Sequence, residues 1–443
     1  MSESQAVGPA AKPLEFSSRQ FTGLMVGATV GSLFEWYDFF LAATAAAAVW
    51  PAIFFPARFD PAIALAISVA SVGIAYFGRP AGAFVFGHFG DRYGRRSTMV
   101  WTLIVMGIAT LSTALLPPYA SWGMMSVAVL FFLRFLVGFA VGGESGGAFT
   151  WILEARPNSK HRGFWISWTN AVLLLGKVLG IFAFYLASTY LSRADYLAWG
   201  WRLTFAVGAL LVVIGMVVRA KILESPLFRQ LQARRSVLKY PAVQVLKEEG
   251  RKMFTLLWLD AWVSLLPAFI ALPYSVSYLV KLGASESSAT LSVTWGTGIA
   301  VITVLGGAFL SDYIGRIKMQ RIGAILSLAF LYPYFLLLNS LNWVWIWVAQ
   351  AMIYCLDELP TGSNKALYAE SFSTKYRYSG SSLSYQLGSM LTGIMVGVLL
   401  PFYLVAFGVT GAWLPIVLTS AAMIIIALVA TFFVKETRGI TIE

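Results

Sequence analysis

The chain has 443 residues, 58% of them hydrophobic and only 12% charged, with a formal net charge of +12 and a mean hydropathy of +0.75. That composition excludes an ordinary soluble domain and describes an integral membrane protein. Two histidines and one cysteine, Cys355, exclude a soft-ligand metal centre and an intrachain disulfide framework.

The apolar runs are each about 20 residues long, enough to cross a hydrocarbon core of about 30 Å as an α-helix, and they lack the alternation of a membrane barrel. The fold class is an all-α membrane protein with twelve transmembrane helices. Residues up to Gln20 are polar and the following run is too long for a signal-peptide core, so the N-terminus is expected to be retained.

Span 1, Phe21 to Val49, contains Glu35 and Asp38 in an otherwise nearly uncharged stretch. A carboxylate in hydrocarbon costs roughly 2.5 kcal/mol or more, so both are functional candidates. Residues three apart share a helical face, which turns the two acids toward a watered interior. Span 2, Ala62 to His88, carries Arg79 before Pro80 and runs into Gly87-His-Phe-Gly-Asp-Arg-Tyr-Gly-Arg-Arg96. Gly87 and Gly90 allow close backbone approach, Gly94 completes the motif, Asp91 can accept from a facing helix N-terminus, and Arg92, Arg95 and Arg96 can pair with acids of neighbouring loops. This is a gate latch, with Glu154 and Arg162 as partners from the loop after span 4; the plainer alternative is that these arginines only set topology.

Span 3 runs from Thr98 to Leu116 and span 4 from Met124 to Leu153. Arg134 lies about ten residues into span 4, roughly 15 Å deep, and shares a face with Gly138 and Gly142. Asp38 stands at a similar depth, so an Asp38–Arg134 ion pair is predicted. Contact with the guanidinium favours the ionised carboxylate and its withdrawal the protonated one, so helix movement could load and unload one proton. The alternatives are a static pair and Glu35 as the proton carrier. In span 5, Phe164 to Tyr190, Lys177 lies near the midplane, and with Arg79 it offers two cations for a substrate carboxylate; the alternative is that Lys177 neutralises Glu144 or Glu35. Span 6 is Trp201 to Val218.

The polar stretch Arg219 to Lys252 holds nine Lys or Arg with Pro226 and Pro241 and is predicted as a cytoplasmic linker (residues 219–252) between bundles at residues 1–218 and 253–443. Span 7, Met253 to Val280, carries Asp260. Spans 8 to 10 are Ser288 to Leu310, Ile322 to Leu338 and Trp343 to Tyr368, the last with Asp357, Glu358 and Lys365. These acids could bind the amine of a zwitterion, accept protons, or pair with Lys365 and Arg79. Span 11, Ser379 to Phe402, offers Tyr385 and Gln386, and Tyr37, Tyr76 and Trp258 are candidate aromatic lining; span 12 is Gly408 to Val434, and the chain ends at Glu443 soon afterwards.

Segment Leu310-Ser-Asp-Tyr-Ile-Gly-Arg-Ile-Lys318 repeats the latch, with Asp312, Gly315 and Arg316 in the places of Asp91, Gly94 and Arg95, and Glu224-Ser-Pro is echoed by Glu436-Thr. The offset of Asp312 from Asp91 is 312 − 91 = 221, half the chain, which implies two pseudo-symmetric six-helix bundles. The basic residues of loops 2–3, 4–5, 8–9 and 10–11 share the side of the termini, against only Arg58, Arg193, Arg202 and Lys281 opposite, so both termini are expected in the cytoplasm of a multi-pass plasma or inner membrane protein.

Phe34-Glu-Trp-Tyr-Asp-Phe39, Arg79-Pro80, Gly87 to Arg96, Arg134-Phe-Leu-Val-Gly138 running to Gly143-Glu-Ser-Gly-Gly147, Glu224-Ser-Pro-Leu-Phe228 and Arg377-Tyr-Ser-Gly-Ser-Ser-Leu-Ser-Tyr385 carry a resemblance. Over the whole chain the sequence resembles the major facilitator superfamily, most closely its metabolite:proton symporters. The resemblance implies import of organic acids such as citrate, 2-oxoglutarate or shikimate, or of osmolytes such as proline and betaine, together with protons. In sugar:proton symporters of the superfamily a helix 1 acid and a helix 4 arginine act together, and Asp38 and Arg134 look similar; an Arg-Pro in helix 2 fits anion-transporting members. The expected function is proton-coupled symport of a small carboxylate. The alternatives are a carrier of a zwitterionic osmolyte, sugar or drug-like compound, a uniporter, and a sensor that binds without turnover. The chain lacks the long coiled-coil tail of osmosensing relatives, which disfavours the osmolyte. No nucleotide-binding run, hydrolase triad or nucleic-acid reader module is present, so no enzyme, cofactor or nucleic-acid partner is expected. The expected partners are the small-molecule substrate, protons and the lipid bilayer, around a monomer.

Overall fold

The computed structural model describes residues 16–56, 58–266, 270 and 273–442; the polar N-terminal stretch (residues 1–15), Glu443 and part of the predicted span 7 lie outside the described residues. Among the described residues regular structure is helical, with no strand. The long helices are α1 (Ser18–Ala48), α2 (Pro61–Tyr93), α3 (Arg95–Leu115), α4 (Met124–Ala155), α5 (Arg162–Tyr190), α6 (Trp201–Ala220), α7 (Pro241–Leu265), α8 (Glu286–Ile314), α9 (Arg316–Asn339), α10 (Trp343–Ser371), α11 (Arg377–Ile394) and α12 (Trp413–Ala430).

Nine helical stretches among the described residues are long and apolar enough to cross a membrane. The other three, α1, α7 and α10, are 31, 25 and 29 residues long and carry the buried acids Glu35, Asp38, Asp260, Asp357 and Glu358. Outward faces are apolar: Ile302 is 75% and Val405 88% exposed, which suits hydrocarbon and not water.

Helix neighbours repeat with an offset of six. Helices α1 and α5, α2 and α4, and α3 and α6 pack together, as do α7 and α11, α8 and α10, and α9 and α12. The resulting six-helix bundles meet most extensively where α2 packs on α11 and α5 on α8, with α4 against α11 and α5 against α10 adding to the seam. Small residues let the α2–α4 and α8–α10 pairs approach backbone to backbone: a Cβ at Gly142 would lie 2.7 Å from Ala83 N, and one at Gly362 2.9 Å from Ala308 N. Phe16 and Ile442, near the two ends of the described chain, bury in one apolar cluster with Ala155, Met253 and Tyr376, so both ends share one face of the molecule.

In the first bundle Arg219, at the end of α6, donates to Gly27 O (2.7 Å) and Met99 O (2.9 Å) and forms a buried ion pair with Glu144, ending in α1, α3 and α4. Three boundaries differ from the sequence expectation. Helix α7 begins at Pro241, inside the expected linker, because Pro at the first helical position starts a turn that the polar residues then continue. Helix α11 runs on through a π-helical turn (Met395–Leu399) into Leu400–Gly411. The chain breaks at Gly408, whose φ is 68°, and an unbroken apolar composition hides that break from the sequence.

Candidate functional site

The face that carries both ends is closed by two copies of one ionic device. Gly94 and Gly315, with φ of 121° and 110°, turn α2 into α3 and α8 into α9. Few side chains tolerate that backbone, and a Cβ at either would strike the carboxylate of Glu224 or Glu436. These two glutamates cap the helices that follow: Glu224 accepts from Arg95 N (3.0 Å), and Glu436 from Arg316 N (2.8 Å) and Ile317 N (3.1 Å). Burial holds the Glu224 carboxyl above the usual carboxylate range, against the lowering effect of the Ser225, Arg95 and Arg96 N–H groups and the Arg95 charge.

Each device crosses between bundles. Asp91 accepts from Tyr378 N (3.1 Å) and Ser379 N (2.8 Å) at the start of α11, while Asp312 accepts from Gly163 N (2.9 Å) and Phe164 N (3.0 Å) at the start of α5. Carboxylates at helix N-termini gain from both the free N–H groups and the helix dipole. Glu154 binds Arg95 of its own bundle (3.0 Å) and Arg377 of the other (3.1 Å); Glu370 binds Arg316 (3.2 Å) and, from the other bundle, Arg162 (3.0 Å). Of the two partners expected for the first latch, Glu154 joins it, whereas Arg162 begins α5, which faces α8, and serves the second device. Arg92 lies over the Tyr93 ring at 5.1 Å and Arg96 donates to Ala220 O, so neither joins the central network. A Cβ at Gly87 would lie 2.7 Å from Ser379 Cα, which explains the bare backbone there.

Toward the opposite face, Arg134 Nη1 meets Asp38 Oδ2 at 3.0 Å, with both side chains buried. Thr110 donates to Asp38 Oδ1 (2.6 Å), Arg134 Nη2 to Thr113 Oγ1 (2.8 Å), and the guanidinium lies 5.7 and 5.8 Å from the Trp50 and Phe205 ring centres. The pair is thus satisfied on three sides and roofed by aromatics. Arg134 Nε alone has no partner.

Between the two levels lies a buried polar centre where the bundles meet. Arg79 Nη1 donates to Ser389 Oγ of α11 at 3.1 Å and stands 3.8 Å from Glu35 Oε1, too far for a hydrogen bond. Its guanidinium lies 4.7 Å from the centre of the Tyr76 ring, and its Nε and Glu35 Oε1 have no hydrogen-bond partner. Glu35 Oε2 accepts from Ser145 at 2.8 Å. Lys365 donates to Thr169 (3.3 Å), lies over the Tyr385 ring, and is within electrostatic reach of Glu35, Asp260 and Glu358. Lys177 reaches Thr297 (3.5 Å), between the Phe40 and Tyr354 rings, and interacts electrostatically with Glu358. Gln386 donates to Val141 O at 3.3 Å and its Oε1 is unpartnered.

Two expected lining residues are not brought to this centre. Tyr37 donates to Thr204 O at 2.9 Å and packs toward α6, because it lies two residues from Glu35 and so across the helix. Trp258 is partly buried and packs edge to face on Phe254, a residue 61% exposed, and it lies two positions from Asp260 and so on another side of α7. Glu144 is neutralised by Arg219 and not by Lys177. Sequence reasoning also missed Ser389, Thr110, Thr113, and Glu370 with Arg377. The last pair was within reach: Glu154 to Arg162 spans 162 − 154 = 8 positions and Glu370 to Arg377 spans 377 − 370 = 7, each just after the same helix of its half.

The sequence profile of the family described as "Sugar (and other) transporter" matches residues 24–240 and 242–443. An inner membrane metabolite transport protein of Escherichia coli is 34% identical over 94% of this chain and 94% of its own length. A shikimate transporter of Escherichia coli is 29% identical (83% of this chain, 84% of its own), and a proline/betaine transporter of Salmonella typhimurium 28% (84% and 75%). Among solved structures, a major facilitator superfamily proton:xylose symporter bound to 6-bromo-6-deoxy-D-glucose superposes with a TM-score of 0.80 at 18% identity, covering 96% of this chain and 98% of that one.

Proposed function

We propose that this chain, which belongs to the sugar (and other) transporter family of the major facilitator superfamily, carries a small carboxylate together with protons by alternating access. That it is a multi-pass membrane transporter of small molecules, and not an enzyme, follows from the family. The carboxylate reading rests on one observation: Arg79 is a buried guanidinium at the meeting of the bundles, walled by Tyr76, with one hydrogen bond, an unpartnered Nε and an acid held just out of contact. A bidentate carboxylate would complete its donor set. A relative named as a shikimate transporter supports a carboxylate cargo.

Asp38 and Arg134 are the coupling pair in this reading. When helix movement separates the guanidinium from the carboxylate the acid takes up a proton, and re-forming the pair releases it. Glu35 links this event to cargo, because a carboxylate on Arg79 competes with it. The bundles, residues 1–218 and 253–443 joined through 219–252, rock as units about the centre, with the duplicated device closing the cytoplasmic face on which both termini lie. A monomer suffices. A second reading, a zwitterionic osmolyte, is favoured by Asp260, Asp357 and Glu358 near the same centre and by the relatives named for proline and betaine.

The test is uptake by proteoliposomes against a panel of carboxylates and zwitterions. Arg79→Ala should abolish carboxylate binding in a thermal-shift assay, and Asp38→Asn should abolish uptake driven by a pH gradient while sparing exchange. Unchanged carboxylate affinity in Arg79→Ala overturns the cargo assignment, and gradient-indifferent wild-type uptake overturns symport.

A further inference from the structure

We propose that Asp357 of α10, together with Asp260 of α7, is a second proton-binding site, located in the second bundle and separate from Asp38 and Arg134. Asp357 is 1% exposed, and its Oδ1 meets no hydrogen-bond donor. Asp260 is 2% exposed and accepts from Ser264 Oγ at 3.3 Å. Neither makes an ion pair with any Lys or Arg among the described residues, whereas Asp38, Glu144, Glu154 and Glu370 each do.

The surroundings show why no cation answers Asp357. On its own helix it faces Glu358, whose Oε2 is also unpartnered, and the Tyr354 phenol. From α7 the facing group is Asp260. From α5, Lys177 is drawn to Thr297 and the Phe40 and Tyr354 rings and interacts with Glu358. Lys365, eight residues on, turns to Thr169 and Tyr385 and interacts electrostatically with Glu35, Asp260, Glu358 and Glu144, and Arg79 of α2 also acts on Asp260, so the cations near the site answer Asp260 and Glu358 and not Asp357. Helices α8 and α9 contribute Thr303, beside Cys355, and Ser327, which donates to Leu356 O. Asp357 therefore has two acids and no cation among its electrostatic neighbours.

An ionised carboxylate in such a place lacks the partners that offset its desolvation, a cost of several kcal/mol, and a second acid beside it adds repulsion. One proton on Asp357 removes its own desolvation cost and its repulsion of the neighbouring acids, while Asp260 keeps Lys365 and Arg79 as electrostatic partners. A metal ion is the poorer occupant, since among the described residues no three His, Cys, Asp or Glu side chains converge as ligands. The O–H bond formed when the site faces one side of the membrane breaks when it faces the other, and the proton returns to water. Two proton sites, one in each bundle, would then move with the two halves.

The test uses no substrate, so it stands whatever the cargo proves to be. The purified protein in lipid nanodiscs is titrated with acid and base while infrared difference spectra follow the carbonyl stretch of protonated carboxyl groups. Asp357→Asn is expected to remove one carboxyl's worth of that band and one titrating proton per protein, Asp38→Asn to leave that component in place, and Asp357→Glu to restore it at a shifted frequency. Asp260→Asn, which removes the neighbouring acid, is expected to move the component to lower pH. A folded Asp357→Asn protein with the full wild-type band overturns the proposal. Should that variant fail to fold, an Asp260→Asn spectrum and titration identical to wild type overturns it equally.

Discussion

Replacing Asp91 by Asn tests whether the duplicated ionic device holds its face shut. The carboxylate accepts two backbone N–H groups of α11, at 3.1 and 2.8 Å, and lies 3.2 Å from Arg95. Asparagine keeps one accepting oxygen and loses the charge, so one charge-assisted bond and the local ion pair disappear while Glu154 still holds Arg95. Hydrogen bonds to charged groups contribute about 1.5–3 kcal/mol, and a loss of about 2–3 kcal/mol raises the population open on this face about 30- to 150-fold. The reporter is a thiol placed at Ser382, fully buried where α11 lies against Gly146 of α4, in a Cys355→Ser background that removes the single native cysteine. Alkylation by a water-soluble maleimide should be slow with Asp91 intact and faster by that factor with Asp91→Asn. An unchanged rate in a folded, monodisperse protein would show that the device does not set the conformational balance.

Two further outcomes follow from packing and from the cap. A Cβ at Gly138 would collide with Ala75 O of α2, so Gly138→Val must part α2 from α4, costing about 1–3 kcal/mol and lowering the thermal unfolding midpoint, whereas Gly73→Val, with open space around it, should be silent. Because burial raises the Glu224 carboxyl above its ordinary value of 4.5, the folded state binds more protons than the unfolded one, and this group's contribution falls as pH rises from about that value; Glu224→Gln should flatten that part of the stability–pH curve, and an unaltered slope would refute the assignment.

The twelve spans and their division into two related sets of six were legible because hydrophobic length and a repeated latch are written into composition and spacing. The partnership of Asp38 with Arg134 could be reached by counting residues along two helices from opposite faces, since depth alone brings them level. Depth does not fix azimuth, however. Tyr37 was misplaced for that reason, lying between two inward-facing acids and pointing across the helix to α6. Arg162 was assigned to the nearer latch because chain neighbours were favoured over the α5–α8 contact, which joins the bundles and leaves no mark in local sequence. Ser389 and the threonines beside Asp38 carry no charge and no motif, so only packing reveals them.

Among the described residues the knot of Arg219 and Glu144 has no counterpart in the second bundle, and that lopsidedness matters for how the machine moves. The position 221 places after Glu144 is 144 + 221 = 365, where a lysine points to the polar centre instead of fastening helix ends together. With α1, α3, α4 and α6 strapped at one point, the first bundle should travel as a stiff frame. Its partner lacks that strap and carries two prolines inside long helices, Pro333 and Pro360, against Pro80 alone in the first, so it is the one expected to flex. Cargo bound between them would be gripped by a hard jaw and a soft one, and occlusion should be sought as bending within the second bundle before any rotation of the whole.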